Sequence, residues 1–176
     1  MSDDIRIKKL PDLSVLQKLA DRYPGAKIIP ENLEVLLLFT RVAGDATSFF
    51  RKDFDSHGLT SARFTLLLRL RRQPDEAMNP SELAEYLGVT RATISGLLDG
   101  LEKSGQIKRV NCPEDKRCCF VKITAKGMKL LDKISPEYFS KLSALMSGVK
   151  RSDMKIFKKV LLLINGRINE EFEVKK

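Results

Sequence analysis

The run Asn79-Pro80-Ser81-Glu82-Leu83-Ala84-Glu85-Tyr86-Leu87-Gly88-Val89-Thr90-Arg91-Ala92-Thr93-Ile94-Ser95 contains two helix starts and one glycine turn. Asn79 stands where an N-cap belongs, Pro80 at the first helical position and Glu82 at the third, the pattern of a capping box. Met78 and Leu83 flank that start as a hydrophobic staple. Thr90 repeats the arrangement, with Val89 and Ile94 as its staple. Between the two starts, Gly88 is placed to leave a helix with positive φ. The spacing predicts helices over 81–87 and 91–103 joined by a tight turn, which is a helix-turn-helix.

Upstream, Thr60 opens another helix, with Leu59 and Phe64 as its staple. Before it, Val35, Phe39, Val42, Ala46, Phe49 and Phe50 recur at helical spacing, and Leu36-Leu37-Leu38 add apolar surface beside that stripe. A helix apolar on more than one side is buried on more than one side. His57-Gly58 ends it, and His57 reads as a cap or surface residue. Residues 12–23 carry a short helical pattern, and Pro11, Pro24-Gly25 and Pro30 break the first thirty residues. Downstream, Ser104-Gly105 stops the second helix of the motif. Runs at 107–112 and 118–124 read as strands, with Val121 and Ile123 alternating with Phe120 and Lys122. The linker Pro113-Glu114-Asp115-Lys116-Arg117 turns between them, so a β-hairpin wing follows the helix-turn-helix. Thr124 caps a further helix that Pro136 is expected to kink or break, and Ser152 caps a last one.

The expected fold is therefore mainly α with a small β-hairpin wing: a winged helix-turn-helix flanked by N- and C-terminal dimerisation helices. Its expected parts are an N-terminal extension (1–30), a dimerisation helix (31–58), the winged domain (59–127) and C-terminal helices of the dimerisation region (128–176).

The formal net charge is +9, from 32 Lys and Arg against 23 Asp and Glu. The excess grows along the chain: residues 1–59 are balanced, 60–124 carry +3 and 125–176 carry +6. Such a balance favours a polyanionic partner. The N-terminus lacks the apolar run of a secretory signal, and no apolar run is long enough to span a bilayer. The cysteines, Cys112, Cys118 and Cys119, are odd in number and clustered, unlike a secreted disulfide framework. The cytoplasm is the default expectation for such a chain. With one histidine and no nucleophile or metal spacing, no catalytic constellation, metal site or cofactor is expected.

Read as a helix, 91–103 buries Ile94, Leu97, Leu98 and Leu101 on one face. The opposite face carries Ala92, Gly96, Asp99 and Lys103, flanked by Arg91, Thr93, Ser95 and Gly100. Gly96 and Gly100 each cost roughly 1 kcal/mol against alanine. That cost suggests something must approach the backbone, and a major groove about 12 Å wide admits such a helix. Thr90 and the free amides at the helix start would hold a phosphate. Arg91, Thr93 and Ser95 would reach base edges or phosphates, and Ala92 a thymine methyl. Lys116 and Arg117 at the hairpin tip would enter the adjacent minor groove. The alternative is a polar-faced helix and a solvated turn on a winged helix that binds protein.

Taken in order, Leu59-Thr60, Asn79 to Ala84, Leu87 to Ser95, Leu101-Glu102-Lys103-Ser104-Gly105, Pro113 to Arg117 and Thr124-Ala125-Lys126-Gly127 resemble the MarR family of bacterial regulators. The resemblance implies a homodimer with interlocked terminal helices, bound to a pseudo-palindromic duplex DNA operator. It implies a repressor released by a small aromatic acid or phenol, or by cysteine oxidation. Phe39, Arg41, Phe49 and Phe64 are candidates for the effector site, with core packing as the other use of the phenylalanines. Cys112, Cys118 and Cys119 are candidates for a redox switch at the wing, against ordinary packing. Two departures stand out. Family members often carry arginine or another polar residue where Gly96 and Gly100 stand, and the first long helix here lacks the cysteine of the family's peroxide sensors.

Overall fold

The computed structural model describes residues 9–72, 76–111 and 119–173. The chain runs α1 (Leu13–Arg22), α2 (Pro30–Asp55), α3 (Ser61–Arg71), α4 (Pro80–Leu87), α5 (Arg91–Lys103), β1 (Ile107–Asn111), β2 (Cys119–Ile123), α6 (Ala125–Ala144) and α7 (Arg151–Glu173). It divides into two compact units, one up to Lys133 and one from Ile134 onward, with the boundary inside α6. The architecture is mainly α-helical with one small antiparallel hairpin, as the sequence pattern predicts.

The predicted helix starts are physically present. The Thr60 hydroxyl accepts from the Arg63 N–H at 3.3 Å, and the Thr90 hydroxyl from the Thr93 N–H at 3.2 Å. The Asn79 side chain accepts from the Ser81 N–H at 2.8 Å while the Glu82 carboxylate accepts from the Asn79 N–H at 3.3 Å. Together these satisfy amides that the helices themselves leave without partners. Gly88 ends α4 at φ 64°, and the Val89 N–H reaches back to the Ala84 carbonyl at 3.0 Å. That bond is the Schellman closure, which needs a left-handed residue.

Behind these caps lies the core of the first unit. Phe64, Leu66, Leu67 and Leu70 of α3 are fully buried, as are Leu83 of α4 and Ile94, Leu98 and Leu101 of α5. Phe54 closes on Phe64 with ring centroids 4.9 Å apart. The hairpin pairs Ile107 with Ile123, Arg109 with Val121 and Asn111 with Cys119. Ile107, Val121 and Ile123 point into the core. Met78 extends the sheet by one residue: its N–H and C=O each bond Val121 at 2.9 Å. Thr124 then joins three elements. Its N–H donates to the Gln106 carbonyl at 3.0 Å, its hydroxyl donates to the Gly105 carbonyl at 2.7 Å, and it accepts from the Gly127 N–H at 3.2 Å.

Pro30, expected to separate the N-terminal segment from the long helix, stands at the first position of α2, which suits proline. Two local expectations need correction. Of the kink or break expected at Pro136, the break does not occur: α6 continues through it to Ala144, because one missing N–H bond is not enough to stop a helix whose neighbours Ile134 and Ser135 are buried. Ser152 is not a cap. Its hydroxyl turns to the neighbouring Asp153 carboxylate at 3.0 Å, and the Lys150 carbonyl accepts the first bonds of α7.

Candidate nucleic-acid interface

The outward surface of α5 is built on the buried one. Ile94, Leu98 and Leu101 anchor the helix, and Leu97 is half-buried at the edge. Arg91, Ala92, Thr93, Ser95 and Gly96 are all exposed. A Cβ added at Gly96 would meet nothing within 4 Å, so the backbone there is open to approach. Thr90 and Thr93 share a hydroxyl–hydroxyl bond of 2.9 Å across the first turn. That bond turns the Thr93 hydroxyl toward the Thr90 side chain.

Gly100 behaves differently from Gly96. It is half-buried, and a Cβ there would overlap the guanidinium of Arg63 from α3. The open part of the face thus ends near Gly96, and Gly100 serves a neighbouring side chain of the same protein.

Asp99 and Glu102 sit on the outer flank of α5, and carboxylates there would repel phosphates. Arg109 of β1 takes both. Its Nη2 bonds Asp99 at 2.6 Å, its Nη1 bonds Glu102 at 2.6 Å, and its N–H donates to Glu102 at 3.1 Å. The hydrogen bond to Asp99 leads the causes that raise the Arg109 pKa above its ordinary value, so it stays charged at every accessible pH. The clamp ties β1 to α5 and neutralises two acids beside the exposed face of α5. Because the pair is part-exposed, its stability is worth only about 1 kcal/mol. We expect Arg109→Ala to lower the unfolding free energy by about that amount in urea titration. Operator affinity should fall more, by about tenfold, because two freed carboxylates then face the duplex. Equal operator affinity in Arg109→Ala and wild type would refute the clamp.

Lys116 and Arg117, expected at the wing tip, lie outside the described residues, as do Cys112 and Cys118. Cys119 is the first residue of β2, opposite Asn111. The effector candidates are dispersed. Phe64 is core, packed on Phe54. Arg41 pairs with Asp45 along α2 at 3.8 Å. Phe39 is half-buried, and Phe49 is exposed with its ring edge-on to Phe50 at 5.1 Å. A cleft of about 540 Å³ lies elsewhere, bordered by Arg69, Met78, Glu82, Glu85 and Tyr86 among others, with none of the four candidates in its wall.

A capped helix-turn-helix, a hairpin welded to its second helix and an open small-residue face define a winged helix-turn-helix DNA-binding protein. The MarR family profile matches residues 59–119. The repressor YetL of Bacillus subtilis (strain 168) is 32% identical over 157 residues, covering 89% of this chain and 93% of YetL. The repressor MprA of Escherichia coli (strain K12) is 27% identical over 119 residues, 68% of each protein. The crystal structure of the S. aureus MepR–DNA complex superposes with a TM-score of 0.68 at 19% identity, over 75% of this chain and 94% of MepR. The chain belongs to the MarR family of DNA-binding transcriptional regulators. Members of this family are non-catalytic. Among the described residues, no helix is long and apolar enough to cross a membrane.

Proposed function

We propose that this protein is a homodimeric repressor whose α5 helices enter successive major grooves of a pseudo-palindromic operator. The observation that carries the reading is the face of Arg91, Ala92, Thr93, Ser95 and Gly96, exposed on a helix whose opposite side is sealed in the core. Arg91, Thr93 and Ser95 read base edges or neighbouring phosphates, Ala92 meets a thymine methyl, and Gly96 lets the helix sit deep. Thr90 and the first amides of α5 hold a phosphate. Lys116 and Arg117 reach the minor groove. Residues 59–127 form the DNA-binding lobe, and 31–58 with 128–176 supply the dimer contacts. Repression is favoured by two relatives that are themselves repressors.

Release from DNA follows binding of a small aromatic acid or phenol. Phe39 and Phe49 are the α2 side chains with accessible ring surface for it, and Arg41 would supply charge to a carboxylate.

Gel-shift titration on DNA from the gene's own promoter tests the DNA reading. Affinity should fall steeply with salt, as displaced counterions require. Gly96→Leu should fold at least as well as wild type, since leucine is about 0.8 kcal/mol better than glycine in a helix. It should nevertheless bind at least about tenfold more weakly, because the added side chain holds the helix away from the groove. A salt-independent shift, or full affinity in Gly96→Leu, would overturn the proposal. Benzoate or phenol at millimolar concentration should dissolve the wild-type shift.

A further inference from the structure

Arg63 is the third residue of α3, its N–H held by the Thr60 cap. Its side chain crosses to α5 and lies in the space that a Cβ of Gly100 would fill, with Nη2 and Cζ inside that volume and Nε 3.0 Å from it. Nε is buried without a hydrogen-bond partner, and no ion pair to the guanidinium forms among the described residues. A guanidinium is charged at all accessible pH and carries five donors. Holding one part-buried without a counter-ion costs free energy in the unbound protein. Arg109, by contrast, has two carboxylate partners within the protein.

Gly100 follows Thr93 and Gly96 by seven and four residues, so all three lie along one side of α5. The N-terminal half of a recognition helix meets base edges, whereas its later turns approach the rim of the groove, where the backbone runs. We propose that Arg63 is a DNA phosphate contact, delivered from α3 through the gap that Gly100 leaves in the recognition helix. The missing counter-ion is the phosphate, which the planar fork of arginine matches in geometry. Gly100 is then the residue that opens the route, and a cation from one helix serves the surface of another. This inference rests on the DNA-binding reading of α5.

The test is the salt dependence of affinity for wild type, Arg63→Gln, Arg63→Lys and Gly100→Ala, on operator and on unrelated duplex. Arg63→Gln keeps the length and packing of the side chain while removing its charge. It should weaken both DNAs by a similar factor, about tenfold at low salt, and reduce the slope of log affinity against log salt by about one. Arg63→Lys should retain the slope. Gly100→Ala should displace the guanidinium and reproduce the Arg63→Gln loss, and the double variant should be no weaker than either single one. An unchanged slope in Arg63→Gln, with or without a lower melting temperature, makes Arg63 a packing residue and overturns the proposal while leaving the DNA-binding reading intact. A wild type that shows no salt-dependent shift removes both.

Discussion

In the homodimer proposed above, Leu163→Glu should separate the two copies and weaken operator binding by about a hundredfold or more. The reason is apolar surface that the single chain leaves in water. On α7, Ile156, Val160 and Leu163 recur at four and three residues and form one stripe, with Ile156 63% and Leu163 57% exposed. On α2, Val35, Leu38, Val42 and Phe49 make another, from Val35 at 61% exposed to Leu38 at 49%. Folded monomers rarely leave stripes of this kind uncovered, and a two-fold axis covers each with the same surface or its complement from a second copy. Burying one leucine contributes about 1.5–3 kcal/mol. A glutamate in its place must lose its water without a partner, which costs more than the leucine contributed, so association fails. DNA binding fails with it, because linking two lobes makes the second half-site contact intramolecular and raises avidity by about 10²–10⁴. Sedimentation equilibrium and gel shift check the two effects, with circular dichroism confirming that α7 remains helical. A wild type that sediments as a monomer, or a Leu163→Glu dimer, would refute the homodimer.

The helix-turn-helix was legible in the sequence because its signals are local. Caps, staples and the glycine exit each act within about five residues, so Thr60, Asn79, Gly88 and Thr90 could be read without knowing what packs against them. The hairpin was legible for the same reason, from the alternation around Val121 and Ile123. The cap at Ser152 and a break at Pro136 do not occur, because residue type alone does not say where in a helix a residue falls. Pro30 is the first residue of α2, and Ser152 stands two positions past Lys150, whose carbonyl accepts the first bonds of α7. The pairing of Met78 with Val121 joins residues 43 apart in sequence and leaves no local mark.

The site was legible in part. The small-residue face of α5 followed from periodicity, and Ile94, Leu98 and Leu101 are indeed sealed beneath it. The two glycines looked alike in sequence, yet Gly96 opens to solvent while Gly100 makes room for Arg63. Only the position of α3 separates them. Arg109 carries a signal in its strand parity: it shares a side with buried Ile107 but lies at the exposed end of that face, where a charge meets the helix packed beside it. Asp99 and Glu102, three residues apart on α5, were the acids available.

Gly127→Ala should destabilise the first unit by about 2–3 kcal/mol, even though alanine is the better helix former. Gly127 lies in the first turn of α6, where a Cβ would overlap the Gln106 carbonyl oxygen and stand 2.9 Å from Cγ1 of Ile123. Neither neighbour can move freely. The Gln106 carbonyl accepts the Thr124 N–H at 3.0 Å, and Ile123 is buried in its pair with Ile107. Relief therefore requires α6 to withdraw from the base of the wing, which strains the bonds Thr124 makes to Gly105 and Gly127. Gly96→Ala is the control: its Cβ meets nothing, so the same chemical change should raise stability by up to about 1 kcal/mol. Urea titrations at one fixed protein concentration should shift the two midpoints in opposite directions. Heating should lower the Gly127→Ala midpoint by roughly 5–10 °C. Matching midpoints for the two variants would mean that α6 yields at no cost and that the tight junction of wing and helix is not what fixes the wing's base.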